Sequence, residues 1–86
     1  MYEVRYCKQA KKDIVLLQAA NLSKNTKSII EIISKNPYES PPPFEKLKGE
    51  LNGAFSRRIN RQHRIIYKVD KEHKAVIIIR MWTHYE

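Results

Sequence analysis

The 86 residues contain a single cysteine, Cys7, so no internal disulfide can staple the chain and it is not a small secreted disulfide scaffold. Glycine occurs only at Gly49 and Gly53, which excludes a glycine-rich phosphate loop. The only aspartates, Asp13 and Asp70, are far apart, and His63, His73 and His84 lack a metal-ligand spacing. The clustered carboxylates of a metal-dependent nuclease are therefore missing, and neither metal nor cofactor is expected. Nucleophilic triads assemble only arbitrarily. No run approaches the ~18 apolar residues of a membrane span. The opening MYEVRYCKQAKKD has no apolar core of a signal peptide, so the expected location is cytoplasmic, with no membrane partner.

What is abundant is positive charge. Seventeen Lys and Arg against nine Asp and Glu leave +8. A small domain with that excess attracts polyanions, nucleic acid above all. A solvated basic surface, or a surface for an acidic protein partner, would look the same. With 30% charged and 42% apolar residues the composition is globular. The length bounds the chain to one domain, 1–86, whose core buries roughly 60–65% of the unfolded surface.

Tyr2, Val4 and Tyr6 alternate with polar residues as a short strand does. Over 8–20, Ala10, Ile14 and Leu17 take helical spacing, with Lys8, Lys11, Lys12 and Asp13 on the wet side. Asn21 or Ser23 offers a cap for a second helix carrying Ile29, Ile30 and Ile33, which Asn36-Pro37 ends. The segment NPYESPPPF reads as a stiff connector, or alternatively as a ligand for an aromatic-lined groove. FEKLKGEL follows as an edge strand, Asn52-Gly53 marks a tight turn, and 54–60, 63–70 and 75–85 are three more strands. The order β-α-α-β-β-β-β predicts an α+β fold, two helices packed on one face of a mainly antiparallel sheet.

The stretch SRRINRQHRIIYKV concentrates cations in a hairpin. Strand parity sorts them. Phe55, Ile59, Ile65, Tyr67 and Val69 form the face beneath the helices. If Asn60 pairs with Arg64, then Ser56, Arg58, Arg64, Ile66 and Lys68 share the other face. Arg57 breaks the parity near the strand's start, and Arg61 falls in the turn. Two neighbouring arginines on an open face suit a phosphate. Pairing with Glu45 or Glu50 is the alternative.

Metal-free RNA cleavage needs few groups, because the substrate supplies its own 2′-hydroxyl nucleophile. A proton must be taken, another given, and negative charge stabilised. Glu45, Arg58, Arg64 and His84 suffice if their strands are adjacent, and Tyr85 can stack on a base.

These residues also carry a family resemblance. The pattern E-x-L-K-x-x-L-x-G-x-x-S-R-R-I-x-x-x-H-R-I-I-Y over 45–67, with His84-Tyr85 near the end, resembles the YoeB/Txe toxins of the RelE-like superfamily. Gly53-Ala54-Phe55 stands where members carry Gly-Phe-Trp, the stretch from Tyr67 to His84 is longer, and Glu86 is added. The resemblance implies the RelE-like microbial RNase fold and a type II toxin that cuts mRNA in the ribosomal A site. It implies Glu45 as general base, Arg64 as stabiliser of the phosphorane, and His84 as general acid. Tyr85 would shape the site, with Lys48 and Arg58 as phosphate contacts. Arg57, Arg61 and Lys68 complete the expected RNA-binding set. The implied partners are mRNA, ribosomal RNA, a YefM-like antitoxin and a second copy in a homodimer. A non-catalytic RNA- or DNA-binding module, or an antitoxin-binding subunit, on the same fold is the alternative.

Overall fold

A computed structural model describes residues 1–41 and 43–82. Strand β1 (Glu3–Tyr6) is followed by helices α1 (Lys8–Ala19) and α2 (Ser23–Lys35). Strands β2 (Glu45–Lys46), β3 (Phe55–Arg58), β4 (Arg64–Asp70) and β5 (Ala75–Arg80) complete the order expected from the sequence. They form one sheet, β1-β5-β4-β3-β2. The pair β1–β5 is parallel and the other three pairs are antiparallel.

The helices lie on the face made by Ile65, Tyr67, Val76 and Ile78, which are buried with Ala10, Leu17, Ile33, Ile59 and Met81. The odd-numbered residues of β4 thus build the core, as parity predicts. In α1 the buried positions are Ala10, Asp13 and Leu17. Asp13, expected on the wet side, is 1% exposed. Its carboxylate accepts from Met81 N–H (3.0 Å), Arg80 Nε (3.3 Å) and Gln9 Nε2 (3.1 Å), which ties α1 to the end of β5. Arg80 and Met81 are 67 and 68 residues away, beyond any local pattern.

Neither expected cap forms. Leu22 precedes α2 without a side-chain cap, and Asn21 instead takes a left-handed turn at φ 60°. The end of α2 is as expected, with Asn36 extended ahead of Pro37.

The strands are shorter than the sequence reading. Only Glu45–Lys46 of FEKLKGEL pairs, after which Gly49–Leu51 coils into a 3-10 turn, Gly49 at φ 73°. Gly53, at φ 92°, makes the turn into β3. The β3–β4 register differs by two residues from that expected. Arg58, not Asn60, faces Arg64. Asn60 is spent inside the loop, where its Oδ1 accepts from Gln62 N–H (2.9 Å) and His63 N–H (2.8 Å). The backbone closes the hairpin at Ile59, whose N–H donates to the His63 carbonyl (2.8 Å), so the loop is 60–62 rather than 61–63 and the Asn60 side chain braces it. A shift of two keeps every side chain on its face. The described part of the last strand ends at Arg80; residues 83–85, assigned to it from the sequence, lie outside the described residues.

Candidate active site

On the sheet face opposite the helices, Glu45 pairs with Ser56, Ser56 with Ile66, and Arg58 with Arg64. Cross-strand partners share a face, so three chemically distinct groups from three strands converge. Arg64 Nη1 lies 3.5 Å from Glu45 Oε2. Glu45 is 64% exposed and Arg64 only 18%, so the carboxylate reaches in from solvent over a sunken guanidinium. Pro43, Glu45, Ser56, Arg58 and Arg64 line a small hollow of about 90 Å³.

Arg64 Nε and Ser56 Oγ in this hollow are buried and have no hydrogen-bond partner among the described residues. A buried donor left unsatisfied costs about 1–3 kcal/mol. Arg58 directly opposite Arg64 adds like-charge repulsion. An oxyanion between the two guanidiniums answers both deficits.

Of the sequence-expected residues, Glu45, Arg58 and Arg64 are brought together. Lys68 is exposed on β4, two residues beyond Ile66 and so on the same face. Lys48 is exposed at the entry to the 3-10 turn, and Arg61 is exposed in the β3–β4 loop. The expected acid His84, its neighbour Tyr85 and Glu86 lie outside the described residues.

Arg57 is a correction. Expected to contact RNA, it is 1% exposed and points into the core face. Its Nε donates to Tyr67 Oη (3.0 Å) and its Nη2 to the Pro37 carbonyl (3.1 Å). It obeys the strand alternation after all: pairing with Ile65 places it on the helix side. The sequence reading treats Arg57 as an exception to parity because of its charge, and nothing local signals that a charged residue there finds buried partners.

Two features had no clear signal. Ser56 was placed on this face from parity but its buried hydroxyl was not anticipated as part of the site. The His63 ring packs against Trp82, tilted by 44° with centroids 4.4 Å apart, joining the residue before Arg64 to the last described residue. Among the described residues no three His, Cys, Asp or Glu side chains gather as metal ligands.

A family model for the YoeB-like toxin of bacterial type II toxin-antitoxin systems matches residues 6–85. The chain belongs to that family. Toxin YoeB of a Synechocystis species is 34% identical over 65 residues, covering 76% of this chain and 73% of that protein. Toxin YoeB of Mycobacterium bovis is 29% identical over 87 residues, 99% of this chain and all of that one. The YoeB-YefM complex from Staphylococcus aureus superposes with a TM-score of 0.82 at 32% identity, covering 99% of each chain. A YoeB/ParE toxin from Agrobacterium tumefaciens gives 0.87 at 25% identity, covering 96% of this chain and 99% of that one. The architecture is thus the RelE-like α+β fold, and this YoeB-family chain is a type II toxin. None of its described helices is long and apolar enough to cross a membrane.

Proposed function

We propose that this toxin is a ribosome-dependent mRNA endonuclease, a single catalytic domain over 1–86 that acts in the cytoplasm without a metal. The observation that carries the reading is the Glu45–Arg64 pair at 3.5 Å, with Arg58 opposite Arg64 and an Arg64 Nε donor that has no partner among the described residues. Glu45 takes the proton of the substrate's 2′-hydroxyl. The oxygen attacks the adjacent phosphorus in line with the 5′-oxygen. Arg64 and Arg58 hold the charge that builds on the non-bridging oxygens. His84 delivers a proton to the departing 5′-oxygen, leaving a 2′,3′-cyclic phosphate and a 5′-hydroxyl end. Tyr85 stacks on the base beside the cut.

The resting Glu45–Arg64 contact fits this sequence of events. A phosphate that engages Arg64 competes with the carboxylate and frees it to accept a proton. A carboxylate is a weak base for a 2′-hydroxyl, so alignment by the ribosome supplies much of the rate. Lys48, Arg61 and Lys68, exposed around the site, dock on message and ribosomal RNA, with affinity falling steeply as salt rises. By analogy with the YoeB-YefM complex and the YoeB dimer from Staphylococcus aureus, the partners of this chain are a YefM-like antitoxin and a second copy of itself.

The test is mapping of mRNA ends by primer extension in a translation extract. Wild type should create new ends in translated message, and His84→Ala should not. Arg64→Ala should slow cutting by roughly 10²–10³-fold, the loss seen when one oxyanion donor is removed, while lowering ribosome binding far less. Ribosome binding with no new ends from wild type would refute cleavage and leave the non-catalytic binding module.

A further inference from the structure

The aim of Glu45 is not explained by its own strand. β2 has two ladder pairs, Glu45–Ser56 and Lys46–Phe55, followed by a hydrogen bond from Leu47 N–H to the Ala54 carbonyl (2.9 Å). The connector before it contains Pro41, Pro42 and Pro43, none of which has an N–H to donate. Glu45 is too exposed to be fixed by its own burial. An edge strand this short is weakly held on its own.

Arg57 supplies the missing constraint. Its Nη2 donates to the carbonyl of Pro37, where the connector begins, and its Nε to Tyr67 Oη. Tyr67 Oη in turn donates to the same Pro37 carbonyl at 2.8 Å. Burial pushes the Tyr67 hydroxyl's pKa up, which keeps it protonated as a donor. The Arg57 guanidinium carbon also lies 5.0 Å from the centre of the Phe44 ring, the residue before Glu45. Phe44 meets Phe55 edge-on, with centroids 5.5 Å apart. One side chain therefore grips both ends of the connector. Burying a cation is costly, and an aliphatic residue would fill the space more cheaply. A guanidinium suits both contacts, donating through several N–H groups while its charge lies over an aromatic ring.

We propose that Arg57 is a positioning residue: by joining Pro37 and Phe44 to Tyr67 it sets the distance of Glu45 from Arg64, and so the rate of the chemical step. The consequence for rate rests on the cleavage reading above; the consequence for position does not. The test uses full-length Arg57→Gln, with Phe44→Leu as a second variant that leaves the buried hydrogen bonds intact. Two measurements decide it.

The first is amide hydrogen exchange. The Leu47 N–H should exchange faster in both variants while the β5 amides of Val76 and Ile78 keep their wild-type rates. A destabilisation spread over the whole fold would move all three together. Unchanged exchange at Leu47, or a uniform rise at all three, overturns the proposal. The second is a double-mutant cycle on cutting at saturating ribosomes. Arg57→Gln should slow cutting by roughly 10- to 100-fold, as misplacement of a catalytic group does. Ribosome affinity should stay within about threefold. In a Glu45→Ala background the same substitution should have no further effect, because there is no carboxylate left to aim. An undiminished effect in that background overturns the proposal. If wild type cuts nothing, the cleavage reading fails, and hydrogen exchange alone still decides whether Arg57 holds β2.

Discussion

Asp13 offers the sharpest test of how the fold is held together. It is a carboxylate with 1% exposure on a helix that sequence reading would leave wet at that position. Replacing it by alanine strands the Met81 N–H, which is fully buried and has Asp13 Oδ2 as its acceptor at 3.0 Å. A buried N–H without an acceptor costs about 1–3 kcal/mol. The Arg80 partner is 26% exposed and regains water, so loss of that ion pair adds only about 1 kcal/mol. Gln9 lies at the surface and adds little. The total is roughly 2–4 kcal/mol, a large share of the stability of a domain this size. At 4–8 °C per kcal/mol, the melting temperature should fall by roughly 10–30 °C.

Asp13→Asn discriminates the cause. Asparagine keeps an acceptor oxygen for Met81 N–H and gives up only the charge. It should lose about 1 kcal/mol, the share assigned to the ion pair. Thermal melts of the three proteins at one pH, checked by urea titration, give the comparison. An alanine variant that melts within a few degrees of wild type would refute the reasoning. So would an asparagine variant as unstable as alanine, since charge and not the stranded amide would then dominate.

Three further outcomes follow from single sites. Asp70 at the β4–β5 turn accepts from His73 N–H (3.1 Å), and that bond, with the His73 ring second, holds its carboxyl below the ordinary value. A depressed carboxyl stabilises above its unfolded pKa and loses that contribution as pH falls through the folded value. Asp70→Asn should therefore narrow its melting-temperature gap to wild type as pH drops below about 4; a pH-independent gap would contradict the assignment. Gly53 sits at φ 92°, with nothing within 4 Å of where a Cβ would stand. Gly53→Ala should cost roughly 1–2 kcal/mol of backbone strain alone in denaturant titration, and an unchanged midpoint would show that the turn relaxes. Arg58→Ala removes the like charge opposite Arg64 and should raise stability by roughly 0.2–1 kcal/mol. The same variant should cut message more slowly, and a fall in stability would show that Arg58 is held by contacts rather than opposed by its neighbour.

What the sequence made legible, and what it hid, divides along range. Alternation over 64–70 and helical spacing over 8–35 are local, and they placed Ile65, Tyr67, Leu17 and Ile33 in the core. The open-face set of Arg58 and Arg64 followed from the same alternation. Glu45 came within reach of them because β2 pairs with β3, as the element order allowed. The failures depend on partners distant in sequence or on loop geometry. Asp13 is buried by Met81 and Arg80, and Arg57 by Pro37 and Tyr67. Arg57 follows the alternation from which its charge had set it apart. The charge was the weaker guide because a carbonyl and a hydroxyl waited in the core. The register slip goes with Asn60, whose side chain accepts from the loop amides of Gln62 and His63 and so sits in the loop rather than in the ladder. His84 and Tyr85 rest on their resemblance to the family's terminal pair and lie outside the described residues.

The cations of this hairpin thus do two opposed jobs that one residue of strand offset keeps apart. Arg57 and Arg58 are neighbours in sequence and face opposite sides of β3. The inner one finds its oxygens within the fold, so it stiffens the fold. The outer one meets another arginine and, among the described residues, no partner that balances the pair, since Glu45 reaches Arg64 only at 3.5 Å and Arg64 Nε has no described acceptor. A site that is satisfied in the free protein would gain nothing from a phosphate. A site left short of negative charge gains most when the phosphate carries the most, which is in the phosphorane rather than in the intact message. On the proposed cleavage reading, the repulsion between Arg58 and Arg64 on the open face of β3 and β4 is the same quantity that favours the transition state over the substrate. The buried Arg57 lets the sheet tolerate it by anchoring the same two strands from the other side.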